Sequence, residues 1–284
     1  MIMKIMKMLL MTMAVMAAMT SCKAGENNSI VKENYNDKVV KEKCNVDSFN
    51  EIVIIGSFDV QFRQDKTYSI EVVAPVDMQD KVVIETGRKQ LKIGSKKIAG
   101  VTVTGGRNTI MVNITAPYIN SVKLMGSGDF TANTIKAPSQ EMTFKATLQG
   151  SGDININRVE ATAVLVDLQG SGDIDIKNIE AKQNVTAKVQ GSGDIEIDRI
   201  DSETFVAGLY GTGDLKAHVN CSTLNAALSG VGDIELIGKT KVYHKSKTGS
   251  GDIKDEQLDC EYMVDSNGQR ISDGQQYGNI ESMP

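Results

Sequence analysis

One four-residue phrase recurs along this chain and limits what it can become. It stands at Gly126-Ser127-Gly128-Asp129, Gly150-Ser151-Gly152-Asp153, Gly170-Ser171-Gly172-Asp173 and Gly191-Ser192-Gly193-Asp194. It continues as Gly211-Thr212-Gly213-Asp214, Gly230-Val231-Gly232-Asp233 and Gly249-Ser250-Gly251-Asp252. The first glycines are spaced 24, 20, 21, 20, 19 and 19 residues apart. Self-similarity at a period near twenty is the signature of a solenoid, in which no single unit can bury its own apolar face and stacked units can.

The flanks of the phrase say what the unit is. Apolar residues stand two and four positions before its first glycine (Leu168 and Val166, Leu209 and Ala207) and four and six after it (Ile174 and Ile176, Ile195 and Ile197). Alternation over such short spans reads as half-buried strand. Each repeat is then strand, glycine corner, strand, with glycine supplying either φ > 0 or room for close approach. A further apolar residue nine positions on (Ile135, Val159, Ile179, Ile200) suits a second corner. The expected fold is all-β, a parallel β-solenoid of ~20-residue coils rising about 4.8 Å each. A meander of antiparallel hairpins is the alternative, disfavoured because the face pattern recurs every twenty residues and not every ten.

Around that array the chain divides into segments. Residues 1–21 carry Lys4 and Lys7 and then an apolar run from Met8 to Met19, the pattern of a secretory signal. The signal leads through Thr20 and Ser21 into Cys22, the expected lipidation site of a lipoprotein bound to a membrane through its acyl chains. Residues 22–46 are polar and read as a flexible tether. Residues 47–125 read as irregular β coils, beginning with a degenerate copy of the phrase at Gly56-Ser57-Phe58-Asp59. The regular array spans 126–255. It ends with Lys245 and Lys247 at inward positions and with Asp255, as a capping coil should. Residues 256–284 read as a short strand or hairpin followed by a tail. Loss of Lys4 and Lys7 leaves 29 basic against 36 acidic residues, a net charge of −7 that disfavours nucleic acid as a partner.

Little in the chain spells chemistry. Stacked coils would align Asp129, Asp153, Asp173, Asp194, Asp214, Asp233 and Asp252 in a column. Neighbouring charges there would repel by about 1 kcal/mol in water and about 3.5 kcal/mol at an effective dielectric of 20. The favoured offset is that each Asp accepts N–H groups of its own glycine corner. The alternative is a row of Ca²⁺ sites, with Asp153, Asp173 and Asp194 as ligands, by analogy with shorter glycine-aspartate repeats. Gln149, Gln169 and Gln190 would form an amide ladder, and Glu196, Lys216, Glu235 and Lys254 an alternating-charge one. His218 and His244 lack the neighbours of a metal site or triad, and the cysteines show no CxxC. Cys221 and Cys260 could pair in an oxidising compartment, leaving Cys44, but spacing alone leaves the pairing open.

The array, together with the opening Phe49-Asn50-Glu51-Ile52 and Gly56-Ser57-Phe58-Asp59-Val60, resembles the auto-transporter adhesin, head GIN domain family over roughly residues 46–255. The resemblance implies a right-handed, pectin-lyase-like pair of rolled sheets joined at glycine corners, exported, with no shared catalytic residues and a role in adhesion. The chain departs from the family name in having no coiled-coil stalk or membrane barrel, so lipid anchoring, most readily in the outer membrane, replaces autotransport. The expected activity is non-enzymatic binding of glycan, matrix or host protein ligands. A carbohydrate-active enzyme would instead show converging carboxylates beside an Arg. A structural component would self-associate through its sheet faces as a homo-oligomer.

Overall fold

The structure, a computed structural model, describes residues 20–21, 29–30, 39–44, 46–75, 78, 81–98, 101–102, 110–138, 142–264 and 269–273. Cys22, nearly all of the signal and most of the tether lie outside the described residues, as does the chain after 273.

Strands make up almost all of the described residues that are in regular structure. Ile154–Leu168, Ile174–Val189, Ile195–Leu209, Leu215–Leu228, Ile234–Lys247 and Ile253–Val264 each pair in parallel with the next. That parallel register is the solenoid and excludes the hairpin meander. Ile154, Ile174, Ile195, Leu215, Ile234 and Ile253 stack in one inward column, and Ile156, Ile176 and Ile197 in a second. All are buried. Each aliphatic side chain so enclosed contributes roughly 1.5–3 kcal/mol, so the thin core is stable only as a stack.

Within one long strand the inward alternation slips phase twice. In Ile154–Leu168 the buried residues run 154 and 156, then 159 and 161, then 162, 164, 166 and 168. Each slip turns the chain, which makes the second corner. Differences in coil length are absorbed there: the register shifts between Ala161 and Ala163, between Glu180 and Asn184, and between Ile197 and Ile200. The glycine corner itself never shifts.

The two ends close differently. At the lower end, Glu51–Ile55 and Phe58–Gln64 form a first coil beneath Ser121–Leu124 and Phe130–Lys136. Gln90–Ser95 and Ile110–Ala116 each add one more parallel strand under that coil. Beyond them the strands reverse. Val82–Gly87 is antiparallel to Gln90–Ser95, and Ser69–Pro75 to Ile110–Ala116. Ser69–Pro75 and Val82–Gly87 therefore form an antiparallel end layer and not further coils of the array. For Val82–Gly87 the reason is local: Arg88 and Lys89 both have positive φ (52° and 67°), the geometry of a two-residue hairpin turn, which joins antiparallel neighbours only.

At the upper end Ile253–Val264 covers the last long strand, and Arg270–Asp273 folds back antiparallel on it. The expected polar cap is there. Lys245 Nζ donates to Asp255 Oδ2 (2.7 Å) and Tyr243 Oη to the same oxygen (2.8 Å). Burial, with Asp255 alongside, pushes the Tyr243 hydroxyl far above its ordinary range.

Candidate binding surfaces

Three surfaces run along the solenoid: the ridge of glycine corners, a groove at the second corner, and a trough where the array meets the lower end.

On the ridge, none of the fourteen phrase glycines has a φ in the left-handed region. Glycine is there for close approach. A Cβ at any of them would fall 1.8–2.1 Å from a carbonyl oxygen of the coil beneath. That coil is held tightly, since the central residue of each phrase in the stack donates its N–H to the first glycine's oxygen one coil below (Ser171 to Gly150, 2.9 Å).

The aspartates do something other than bind their own corner. Each Oδ1 accepts the backbone N–H of the aspartate one coil above: Asp129 to Asp59, Asp153 to Asp129, Asp173 to Asp153, Asp194 to Asp173, Asp214 to Asp194, Asp233 to Asp214 and Asp252 to Asp233, at 2.7–3.1 Å. The next residue's N–H turns upward, as in Ile154 to the Asp173 carbonyl (2.9 Å). Where the main-chain ladder changes direction, the carboxylate stands in for a missing backbone acceptor. Lysines of the cap neutralise the top of the column, Lys254 on Asp233 and Lys247 on Asp252. The Lys254 hydrogen bond, reinforced by the Asp252 N–H, holds Asp233 below the usual carboxylate range. One oxygen of each of the carboxylates from Asp59 to Asp233, including Asp153, Asp173 and Asp194, is already engaged. Among the described residues no three His, Cys, Asp or Glu side chains come together as a metal site.

The other expected ladders appear in part. Gln149 Nε2 donates to Gln169 Oε1 (2.6 Å). Glu196, Lys216, Glu235 and Lys254 are in register, with Lys216 paired to Glu196 (3.5 Å), while Lys254 turns to Asp233. Cys221 and Cys260 do not bridge. Thr240 lies between them in register, so they are two coils, about 9.6 Å, apart, beyond disulfide reach. Cys221 instead contacts Thr240 Oγ1, and burial raises its pKa. His218 and His244 sit in different columns.

The second-corner groove, of about 1020 Å³, contains Glu160, Glu180 and Asp201 in one column. With Arg158 and Arg199 beside them, these are the converging carboxylates and arginines that would favour an enzyme. Their state argues otherwise. Lys136 and Arg158 bind Glu160 at 2.6 and 2.8 Å, Arg158 also binds Glu180 at 2.7 Å, and Arg199 binds Asp201 at 2.8 Å. The Lys136 hydrogen bond, opposed by partial burial and reinforced by Arg158, holds Glu160 low. At Asp201 burial opposes the charge, but hydrogen bonds from Asn220 and Arg199 outweigh it and the pKa is again lowered. A glycosidase general acid requires the opposite shift.

The trough, of about 740 Å³, was not foreseen. Across it run Glu71, Asn113, Gln61, Thr131 and Asn155, each opposite the next in register. Asn133 and Asn157 lie alongside, bonded amide to amide at 3.0 Å, and Asn113 donates to Glu71 at 3.0 Å. The sequence held only a faint sign of it, the outward alternation of Thr131, Asn133, Asn155 and Asn157.

Fold and surface together define a class: a parallel β-solenoid with polar outward faces and an apolar core of stacked aliphatic residues and scattered aromatic ones. The chain belongs to the family described as "Putative auto-transporter adhesin, head GIN domain", whose profile matches residues 48–198 and 177–269. Among solved structures it is similar to a "putative adhesin" of Bacteroides fragilis (19% identity, TM-score 0.63, covering 76% of this chain and 96% of that one). It is also similar to a "putative adhesin" of Parabacteroides distasonis (24%, 0.55, 77% and 98%). A "putative lipid binding protein" of the same species matches too (23%, 0.53, 77% and 97%). At these identities the likeness concerns the fold. No curated protein matches the chain.

Proposed function

We propose that this protein is a cell-envelope lipoprotein, anchored through Cys22, whose solenoid is a non-enzymatic head for binding glycan or matrix ligands. The observation that carries the reading is the amide-lined trough built by Gln61, Asn113, Asn133, Asn155 and Asn157 on an adhesin-family fold. Amides offer donors and acceptors together, the pattern that hydroxyl-rich ligands and peptide backbones satisfy. The sheet beneath fixes their spacing, so little side-chain freedom is left to lose on binding. In the second-corner groove, hydrogen bonds from Lys136, Arg158, Asn220 and Arg199 hold Glu160 and Asp201 low, the opposite of what a general acid needs, which supports binding over hydrolysis. Charged and amide linings also suit polar ligands better than acyl chains. Ca²⁺ plays no part in this reading, because the aspartate column is occupied in stacking.

The test is a glycan-array and matrix-protein screen of the chain from residue 23 onward, with and without Ca²⁺. Saturable binding, unchanged by Ca²⁺ and reduced in an Asn113→Ala/Asn155→Ala variant, is the expected result. Silence towards both classes of ligand would overturn the proposal, and a Ca²⁺ requirement would return the aspartates to the role of metal ligands.

A further inference from the structure

The outward residue just before each corner forms a column of its own. It reads Ile55, Met125, Gln149, Gln169, Gln190, Tyr210, Ser229 and Thr248, each seated one coil above the last through main-chain hydrogen bonds. Tyr210 breaks the polar run in the array. It is 50% exposed, and it is the aromatic among the exposed large apolar residues of the described chain, the others being Ile55, Met111, Met125 and Val231.

The ring has a built seat. It lies over Gly208, where a Cβ would come within 2.9 Å of Tyr210 Cε2 and 3.2 Å of its Oη. Gly208 has no left-handed φ, so the backbone does not require glycine there. The corner glycines make room for backbone; this one makes room for a ring. In register with Gly208 stand Lys188 below and Ala227 above. One edge of the ring, with its hydroxyl, is thus held against the sheet at Gly208, while half of the residue remains exposed to solvent.

What lies beside the ring indicates what it would take. Gln190, Gln169 and Gln149 descend from it one coil at a time, and Gln169 Nε2 donates to Asp167 Oδ2 at 2.7 Å. From Gln149 to Tyr210 is three coil steps, about 14 Å. A protein hot spot would gather several apolar residues inside an occluding rim. Here a single aromatic face continues into a line of amides and a carboxylate. A pyranose matches that combination, with an apolar C–H face for the ring and hydroxyls for the amides, and a linear polysaccharide repeats it at a spacing comparable to the coil rise.

We propose that Tyr210, with Gln190 and Gln169 beneath it, is a binding subsite for an extended saccharide chain lying along the solenoid axis. This rests on the adhesin reading and adds to it the ligand class and a location apart from the trough. Tyr210 supplies stacking and Gln190 the first hydrogen-bonding position. The competing role for the ring is to cover the exposed backbone of Gly208, as aromatic residues do for glycines in sheets, and that role concerns stability alone.

The test uses the chain from residue 23 onward and measures calorimetric binding of hexasaccharides of β-1,4-linked glucose, xylose and N-acetylglucosamine. Tyr210→Leu keeps an apolar cover on Gly208 but removes the aromatic face, while Tyr210→Phe keeps the face. The expected result is a loss of about tenfold in affinity for Tyr210→Leu and of less than about threefold for Tyr210→Phe, with thermal midpoints close to wild type. Gly208→Val, which lifts the ring, should weaken binding like Tyr210→Leu. If wild type binds a saccharide and Tyr210→Leu binds it equally, the subsite is wrong and the adhesin reading stands. Binding of matrix proteins with no saccharide bound also overturns the subsite. Silence towards every ligand overturns both.

Discussion

The array and the first coil use nearly the same phrase under different constraints. In the array both glycines are enforced, because the coil beneath comes within 1.8–2.1 Å of where a Cβ would sit. In the first coil the phrase is Gly56-Ser57-Phe58-Asp59, with phenylalanine at the second glycine. No corner lies beneath it, so the side chain that would wreck any higher coil fits. Its ring folds back under Gly56, within 2.8 Å of where a Cβ of Gly56 would lie, and is buried. Gly56 is also the corner glycine with a left-handed φ, +131°. The comparison teaches that the repeated glycine is a requirement of the neighbouring coil and not of the turn itself. Phe58 plugs the end of a column that each later glycine merely continues.

Substitutions can break that comparison at its strongest point. Gly172→Ala places a methyl group 2.0 Å from the Gly152 oxygen and should cost about 3–5 kcal/mol in urea unfolding followed by far-UV circular dichroism. Gly87→Ala, with nothing within 4 Å and no left-handed φ, should change stability by less than about 1 kcal/mol. Phe58→Gly restores the phrase to its repeated form. If the motif mattered for itself the change would be neutral or stabilising; because Phe58 is the plug, it should cost about 3 kcal/mol or more.

The aspartate column should respond in an intermediate range. Asp173→Ala removes the acceptor of the Asp194 N–H and should cost about 1–3 kcal/mol. Asp173→Asn keeps an oxygen in place and removes one charge from the column, so it should fall within about 1 kcal/mol of wild type. Equal losses from both would mean that charge, and not the substituted backbone acceptor, is what the column needs.

These aspartates show where the sequence was legible and where it was not. The period, the inward isoleucines, the second corner at Val159 and Ile179 and the polar cap at Lys245 all follow from short-range alternation repeated in register. The partner of each carboxylate does not. Whether Asp173 bonds its own corner or the coil above depends on which way an N–H points in the stack, and residue order does not encode that. Ser69–Pro75, Val82–Gly87 and Gln90–Ser95 alternate as strands do, but alternation is silent on direction, and the turn signal at Gly87-Arg88 does not say that Arg88 and Lys89 take positive φ. The trough joins Gln61, Asn113 and Asn155 from three distant segments, so it appears only once the strand order is known. Whether Cys221 and Cys260 can pair turns on the register that puts Thr240 between them, and spacing along the chain does not contain it.

A smaller effect lies in pH. Glu160, Asp201 and Asp233 have folded-state pKa values below their ordinary ones of 4.5, 3.8 and 3.8. For a depressed carboxylate the stabilisation is complete above the unfolded-state pKa and disappears as pH falls through the folded one. The urea midpoint should therefore be flat from neutrality to about pH 5 and decline below about pH 4.5. Lys254→Ala, which removes the ion pair on Asp233, should flatten the lower part of that decline. Because the lysine and arginine partners of these carboxylates are exposed, 1 M salt should produce a partial flattening of the same kind.

The smallest effect should come at the other corner of the coil. There the chain already accommodates uneven lengths: Ala161 pairs with Ala181 but Ala163 pairs with Asn184, so the residues after Ala181 are absorbed without disturbing either sheet. An insertion at such a place adds only loop entropy, about 0.6 kcal/mol for a doubling of length. Inserting Gly-Ser between Lys182 and Gln183 should thus leave the unfolding midpoint nearly unchanged. The same insertion after Ser171 would throw the glycines, the aspartate bond and both flanking strands out of register together, and the chain should not fold. Were the two insertions to cost the same, stacking at the glycine corner could not be what fixes the register of the solenoid. A tolerated second corner also leaves the groove beside it free to vary in shape, while the ridge that carries Tyr210 stays fixed.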